Sequence, residues 1–176
     1  MTLPELAREL KTTDRTLRRA VELGTLRVAR PSPRKVVLPI AERAYLRRHW
    51  GLLSALRETL RTEPAVSMAV LFGSRARGDE HAGSDVDLVV ALRGGGVANG
   101  LEERLSRRLG MPVQIVTAED AERVPLLLAE VIREGRILVD REGQWSTLTR
   151  RRKQIQRAAD RQRREIDVRF EAAFAA

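Results

Sequence analysis

Val66-Ser67-Met68-Ala69-Val70-Leu71-Phe72-Gly73-Ser74-Arg75-Ala76-Arg77-Gly78-Asp79-Glu80-His81-Ala82-Gly83-Ser84-Asp85-Val86-Asp87-Leu88-Val89-Val90 is the stretch on which the fold turns. A mainly apolar run of strand length ends at Gly73-Ser74, ten residues follow, and a second strand opens with Asp85-Val86-Asp87. Successive side chains on a strand point to opposite faces, so Asp85 and Asp87 share one face while Val86 and Leu88 turn to the core. Two carboxylates on one face suit a hard cation such as Mg²⁺, which takes one or two protein carboxylates and completes its shell with water and phosphate oxygens. The bland alternative makes Asp85 and Asp87 solvent-facing strand residues and Gly73-Ser74 an ordinary turn. It leaves the joint spacing and the flanking strands as coincidence.

Gly-Ser, ten residues, then Asp-x-Asp on the next strand, with Arg75-Ala76-Arg77-Gly78 and Ser84-Asp85-Val86-Asp87-Leu88 in place, resembles the minimal nucleotidyltransferase (MNT) branch of the polymerase-beta-like superfamily. The likeness covers about residues 64 to 140. It implies catalytic and metal-binding roles for Asp85 and Asp87, with Mg²⁺ (or Mn²⁺) and ATP or another nucleoside triphosphate as ligands. It also implies nucleotide contacts from Gly73, Ser74, Arg75, Arg77 and Ser84. Gly73 lets backbone approach a triphosphate, and Ser74 can donate to a phosphate oxygen from its hydroxyl and its N–H. Arg75 and Arg77 add positive charge to that cradle.

Downstream, Leu101, Leu105 and Leu109 recur at four-residue intervals, which predicts a helix over Asn99 to Leu109 ended by Gly110, then a strand over Met111 to Val116. In the family this strand presents a third acidic residue in a context like Pro-Val-Asp-Leu-Val. Here it reads Pro112-Val113-Gln114-Ile115-Val116. An amide is a poorer Mg²⁺ ligand than a carboxylate and cannot act as a base, so transfer suffers more than nucleotide binding. Glu119 and Asp120 lie beyond the strand and are read as caps of a helix starting near Ala121. An apolar helix over Val124 to Ile132 and a strand over Arg136 to Val139 complete a small α/β sheet with helices on one side.

Charge divides the chain. Residues 1–62 hold 14 Lys and Arg against 6 Asp and Glu, residues 63–147 hold 10 against 14, and residues 148–176 hold 9 against 4, for a formal +9 overall. Basic ends are where a nucleic-acid partner is sought. At the amino end, helical spacing over Leu3 to Leu10, an N-cap at Thr12-Thr13-Asp14, a second helix over Asp14 to Leu23 and a stop at Gly24 give two short helices. Leu26 to Ala29 and Val36 to Leu38 then read as strands around a basic, proline-containing turn. The order resembles a winged helix-turn-helix over residues 1 to about 40, a fold that also serves as a protein-interaction module. It implies DNA contacts from Thr13, Arg15, Thr16, Arg18 and Arg19 on the second helix and from Arg34 and Lys35 on the wing.

Residues 41–63 read as a connecting helix with a kink at Gly51, 64–143 as the nucleotidyltransferase domain, and 144–176 as a long basic amphipathic helix. The apolar stripe of that last helix runs through Leu148, Ile155, Ala159, Ile166, Phe170 and Phe174. It packs back on the domain, pairs with another copy, or adds nucleic-acid contact. The fold class is α+β. With no cysteine and two histidines, no disulfide or thiolate metal cluster can form. No run nears the ~18 apolar residues of a membrane span, and the amino terminus lacks signal-peptide character, so the expected location is cytoplasmic.

Two function classes follow. One is a DNA-binding, Mg-nucleotide-binding antitoxin or nucleotide-responsive transcriptional regulator with weakened transfer. The alternative is an active nucleotidyltransferase moving AMP from ATP to a HEPN-type toxin or a small molecule. The implied partners are DNA, a HEPN-type toxin and a second copy in a homodimer, with no membrane. Arg43 and His49 match the HEPN Arg-x(4–6)-His spacing, but residues 39–62 are too few for that all-helical domain, so the toxin is a separate chain.

Overall fold

The computed structural model describes residues 2–32, 35–95 and 100–174. Thr2 and Glu5 start the first helix by a reciprocal cap: the Thr2 N–H donates to Glu5 Oε2 at 2.6 Å and the Glu5 N–H to Thr2 Oγ1 at 3.4 Å. Helix α1 (Leu3–Glu9) packs on α2 (Asp14–Leu23). The Thr13 hydroxyl caps α2 by accepting the Thr16 N–H at 3.1 Å, and Gly24, at φ +90°, closes it. Strands β1 (Ala29–Ser32) and β2 (Lys35–Val37) form an antiparallel pair. The first strand therefore begins at Ala29 rather than Leu26. The Thr25 and Leu26 N–H groups both donate to the Ala20 carbonyl in closing α2, so this backbone is unavailable for pairing.

Helix α3 (Ile40–Thr62) runs as one helix through Gly51. Its inward face completely buries Leu46, Leu53, Leu56 and Leu60. Full burial of one such side chain is worth about 1.5–3 kcal/mol, and this packing, more than propensity, holds a glycine-containing helix together.

Four strands form the main sheet in the order β5-β4-β3-β6: β3 (Val66–Phe72), β4 (Val86–Leu92), β5 (Val113–Thr117) and β6 (Arg136–Asp140). Strand β3 is antiparallel to β4 and β6, whereas β4 and β5 run parallel. Every residue of β3 is buried, because both faces of the sheet are covered. Ala69, Leu71, Leu88 and Val90 pack with α3 and with α5 (Leu101–Leu109). Met68, Val70, Phe72 and Val89 pack with α6 (Ala118–Arg123), α7 (Pro125–Glu134), α8 (Gln144–Arg150) and α9 (Arg152–Phe174). The one-sided sheet expected from the sequence is corrected on this point. The run Val66–Phe72, mostly apolar and without alternation, suits burial on both faces as well as on one.

The carboxy-terminal segment is two helices, not one. The Arg151 N–H donates to Leu148 O and the Ile155 N–H to Arg151 O, each at 3.0 Å, so the chain turns at Arg151 and restarts. The break lets α8 pack against β6 while α9 lies along α7. Of the expected stripe, Leu148, Ile155 and Ala159 are buried, whereas Ile166 and Phe170 are exposed. The side chain of Phe174, the start of the expected α5 at Asn99 and the end of the expected last helix at Ala176 lie outside the described residues.

The amino-terminal helices are fastened to the sheet. The Thr25 hydroxyl donates to the Ile137 carbonyl, and a Cβ on Gly24 would meet Ile137 Cδ1 at 2.4 Å. Arg136 and Glu42 form a buried two-pronged ion pair, with contacts of 2.6 and 3.0 Å, and the Arg136 guanidinium lies 3.5 Å from the Tyr45 ring centre. Breaking such a pair strands a charge in the interior.

Candidate functional site

Strand β3 delivers the chain to Gly73, where a left-handed turn (φ +70°) starts the short helix α4 (Gly73–Arg77). Phe72 pairs with Asp87 across the sheet. A Cβ on Gly73 would fall 2.5 Å from Asp87 Oδ2, so glycine is required for both its backbone and its lack of side chain. Ser74 is half-buried; its carbonyl accepts the Gly78 N–H at 2.7 Å and the Asp79 N–H at 3.2 Å. Its hydroxyl has no hydrogen-bond partner among the described residues. Tyr45 of α3 donates its hydroxyl to the Arg75 carbonyl at 2.9 Å, and burial pushes that hydroxyl's pKa up to about 12.

Asp85 precedes β4 and Asp87 lies within it, both half-buried. The β4–β5 register places Gln114 beside Asp87, and the Gln114 side-chain amide donates to Asp85 Oδ2 at 2.6 Å. Gln114 thus occupies the position expected for a third carboxylate and meets the pair with a neutral donor. No hydrogen bond reaches the Asp87 carboxylate from any described residue. Burial chiefly, then the charges of Asp85 and Glu130, raise the Asp87 pKa above the usual aspartate value, with Arg75 and Arg77 opposing.

The arginines are engaged by the protein itself. Arg75 aims its fork at main-chain carbonyls, with Nε 3.1 Å from Ser84 O and 3.2 Å from Asp85 O, and Nη2 2.7 Å from Ser84 O. It locks the loop that carries the carboxylates. The buried Ser84 holds the same loop by accepting the His81 N–H at 3.0 Å. Arg77 pairs with Asp79 at 2.9 Å, Glu130 at 3.3 Å and Glu134 at 2.6 Å, which drives its pKa above the ordinary arginine value. Gly73, Ser74, Asp85 and Asp87 gather at one end of the β3–β4 pair, the mouth of the candidate site, while Arg75, Arg77 and Ser84 brace it.

Glu130 and Glu134 were not singled out from the sequence. Their four-residue spacing puts both on one face of α7, but nothing local in the sequence shows that Arg77 lies against that face.

Asp85 and Asp87 fit a divalent cation by donor chemistry. They are two adjacent carboxylates, one of them without a hydrogen bond and disfavoured as an anion. Among the described residues no three Asp, Glu, His or Cys side chains gather into a metal-holding cluster, in keeping with Gln114 at the third position.

On the amino-terminal face, Arg15, Arg18 and Arg19 are exposed on α2. Arg18 pairs with Asp14 at 2.6 Å. The Thr13 and Thr16 hydroxyls lie 2.8 Å apart in the α2 cap. Arg34 lies outside the described residues, and Lys35 is described only as the first residue of β2. No helix among the described residues is long and apolar enough to cross a membrane.

The family model described as polymerase beta, nucleotidyltransferase matches residues 54–144. No curated protein sequence matches the chain. Among solved structures, a chain from a toxin-antitoxin crystal structure with AMP-PNP is similar at TM-score 0.56 and 21% identity, over 68% of this chain and 98% of that one. A chain from the MntA-HepT toxin-antitoxin is similar at TM-score 0.51 and 18% identity, over 68% and 96%. A chain from Shewanella oneidensis is similar at TM-score 0.51 and 15% identity, over 68% and 97%. At these identities the likeness is one of fold.

Proposed function

We propose, from the premise that this chain belongs to the polymerase beta nucleotidyltransferase family, that it binds a magnesium (or manganese) complex of ATP or another nucleoside triphosphate and acts as an MNT-type antitoxin. The observation that carries the proposal is the carboxylate pair, in which Asp87 faces Gly73 without a hydrogen bond and is held above its ordinary pKa. Asp85 and Asp87 would hold the cation, whose contribution is to neutralise phosphate charge and to activate an attacking oxygen. Gly73 and Ser74 would meet the phosphates, on a loop fixed by Arg75 and Ser84. The fold likeness to a toxin-antitoxin chain solved with AMP-PNP supports the nucleotide, and that to a chain of the MntA-HepT toxin-antitoxin supports a separate toxin, of the HEPN type that the sequence resemblance implies, as partner.

Gln114 divides binding from transfer. Its amide contacts Asp85 at 2.6 Å but cannot accept a proton or offer a charged ligand. Transfer of AMP to a partner protein is therefore slow while nucleotide binding persists. Comparing AMP transfer from labelled ATP by the native chain and by Gln114→Asp tests this. The expected result is little transfer by the native chain and a gain on restoring the carboxylate; brisk native transfer favours the alternative of a fully active transferase.

Residues 1–40 are read as a winged helix-turn-helix DNA-binding domain, 41–63 as a connecting helix, 64–143 as the nucleotidyltransferase domain and 144–176 as the basic carboxy-terminal segment. Arg15, Arg18 and Arg19 of α2, with the β1–β2 hairpin, would contact DNA as a homodimer, giving an antitoxin that regulates transcription. The exposure of those three arginines supports this reading. A gel shift on the gene's own upstream DNA, with and without Mg-ATP, tests it; no shift in either condition removes the regulator role.

A further inference from the structure

Two adjoining grooves of about 400 and 720 Å³ lie between α2 and α3 and share Arg57 and Arg61, the larger lined also by Leu138 to Asp140 of β6 and by Arg141. Arg57 is half-buried, and its Nε is shut off from solvent with no hydrogen-bond partner among the described residues. Arg61 follows four residues later, on the same helix face, where like charges repel. Burial first, and then Arg61, pull the Arg57 guanidinium below its ordinary pKa. Arg19 enters the larger groove from α2. The guanidinium groups of Arg19 and Arg61 have no ion-pair or hydrogen-bond partner among the described residues.

Nearby acids do not relieve them. Glu58 pairs with Arg108 at 2.8 Å, and Asp140 accepts the Gln144 N–H at 2.9 Å, leaving Glu22 as the one uncommitted acid lining the larger groove. Other arginines of this chain find carboxylates: Arg47 meets Glu9 at 2.5 Å, Arg93 meets Glu142 at 2.7 Å and Arg104 meets Glu63 at 3.0 Å. Three guanidinium groups without a partner among the described residues converge on one groove, and the N–H donors that they present to it suit an anion. Guanidinium is the side chain best matched to phosphate, through parallel N–H donors. Two grooves joined along the α2–α3 seam offer a track longer than one small anion, and the exposed Arg15 and Arg18 extend the positive charge on α2.

We infer that the groove of Arg57 and Arg61, joined by Arg19 of α2, holds the phosphodiester backbone of a nucleic acid, as an anchor beyond Arg15, Arg18 and the hairpin. The inference rests on the nucleic-acid-binding reading given above. Such contacts add affinity without reading sequence and release counterions as they form.

The test titrates the full chain with a labelled DNA duplex, a single-stranded RNA of equal length and inorganic phosphate at the same phosphate concentration, across a range of salt. Three variants accompany it: Arg61→Ala, Arg57→Gln with Arg61→Ala, and Arg15→Ala with Arg18→Ala. Arg61 is exposed, so its removal leaves the fold intact. The expected result is binding of at least one nucleic acid. The Arg57→Gln and Arg61→Ala pair should weaken it roughly 10-fold or more on every sequence and lower the salt slope by about 2. Arg61→Ala alone should lower the slope by about 1. Tighter binding of DNA or of RNA identifies which backbone the groove takes. Native-like binding by both groove variants, with loss in the Arg15 and Arg18 variant, overturns the groove and leaves the nucleic-acid reading standing. No binding of either nucleic acid by the native chain overturns the reading itself. Inorganic phosphate binding as tightly as the polymer overturns the backbone assignment in favour of a single-anion site.

Discussion

The mouth beside Gly73 and the groove between α2 and α3 are opposites in charge and alike in construction. At the mouth every nearby arginine is engaged by the protein, and the group left without a hydrogen bond is the Asp87 carboxylate. In the groove the carboxylates are mostly committed elsewhere, and the groups left over are guanidinium groups. The net charge of a region says little about its partner. The sign of what its own residues fail to satisfy says more, because a buried unpaired charge is tolerated where a ligand completes it.

A third place supplies the control, since the buried Arg136 and Glu42 are partnered by each other, by the Ala76 and Thr25 carbonyls and by the Arg27 N–H. Arg136→Met should be the most damaging change, destabilising by about 3–5 kcal/mol because the buried Glu42 keeps only the Arg27 N–H and loses its counter-charge. Urea unfolding measures it, and a cost below about 1 kcal/mol would mean that the amino-terminal helices do not depend on this pair.

His49 tests a polar group that is buried without full satisfaction. It lies 3.4 Å from Glu80, yet burial outweighs that charge and holds its pKa below the ordinary histidine value. The unfolded chain therefore binds the proton more readily than the folded one. Stability is full above pH ~6.5 and falls as the pH drops through the unfolded histidine range. A His49→Gln variant should flatten that dependence, read as urea midpoints across pH; an unchanged slope would assign the acid sensitivity to other groups.

At the mouth, Asp87→Asn should raise the melting temperature in the absence of divalent metal, because the folded state disfavours the Asp87 anion, and should lose the stabilisation that Mg-ATP confers. A fall in melting temperature without metal would show that the carboxylate is satisfied after all. The smallest effect belongs to the groove. Arg61→Ala should leave stability unchanged or raise it by about 0.2–0.5 kcal/mol, the usual cost of like charges four residues apart on a helix. A clear loss by thermal melting would mean that Arg61 has an intramolecular role.

The mouth was legible in the sequence because its information is local. Period-two alternation puts Asp85 and Asp87 on one face, and Gln114 is identified by its own strand. The bracing was hidden, since nothing local in the sequence links Arg75 to the Ser84 and Asp85 carbonyls or Arg77 to Glu134. The second helical layer was hidden because the apolar run Val66–Phe72 fits a strand buried on either one face or both, and the covering helix α3 lies upstream. The first strand was misplaced because the Leu26 N–H closes α2. The groove was not legible at all. Arg19 and the Arg57–Arg61 pair are distant in sequence, and each looks like ordinary surface charge until α2 is seen against α3.

Calorimetric titration of Mg-ATP into the native chain and into Asp85→Ala with Asp87→Ala tests the central claim most directly. The account predicts metal-dependent binding by the native chain and its loss in the double variant, with the fold retained by circular dichroism. Equal binding by both chains would contradict it, and would move the nucleotide site away from the carboxylates beside Gly73.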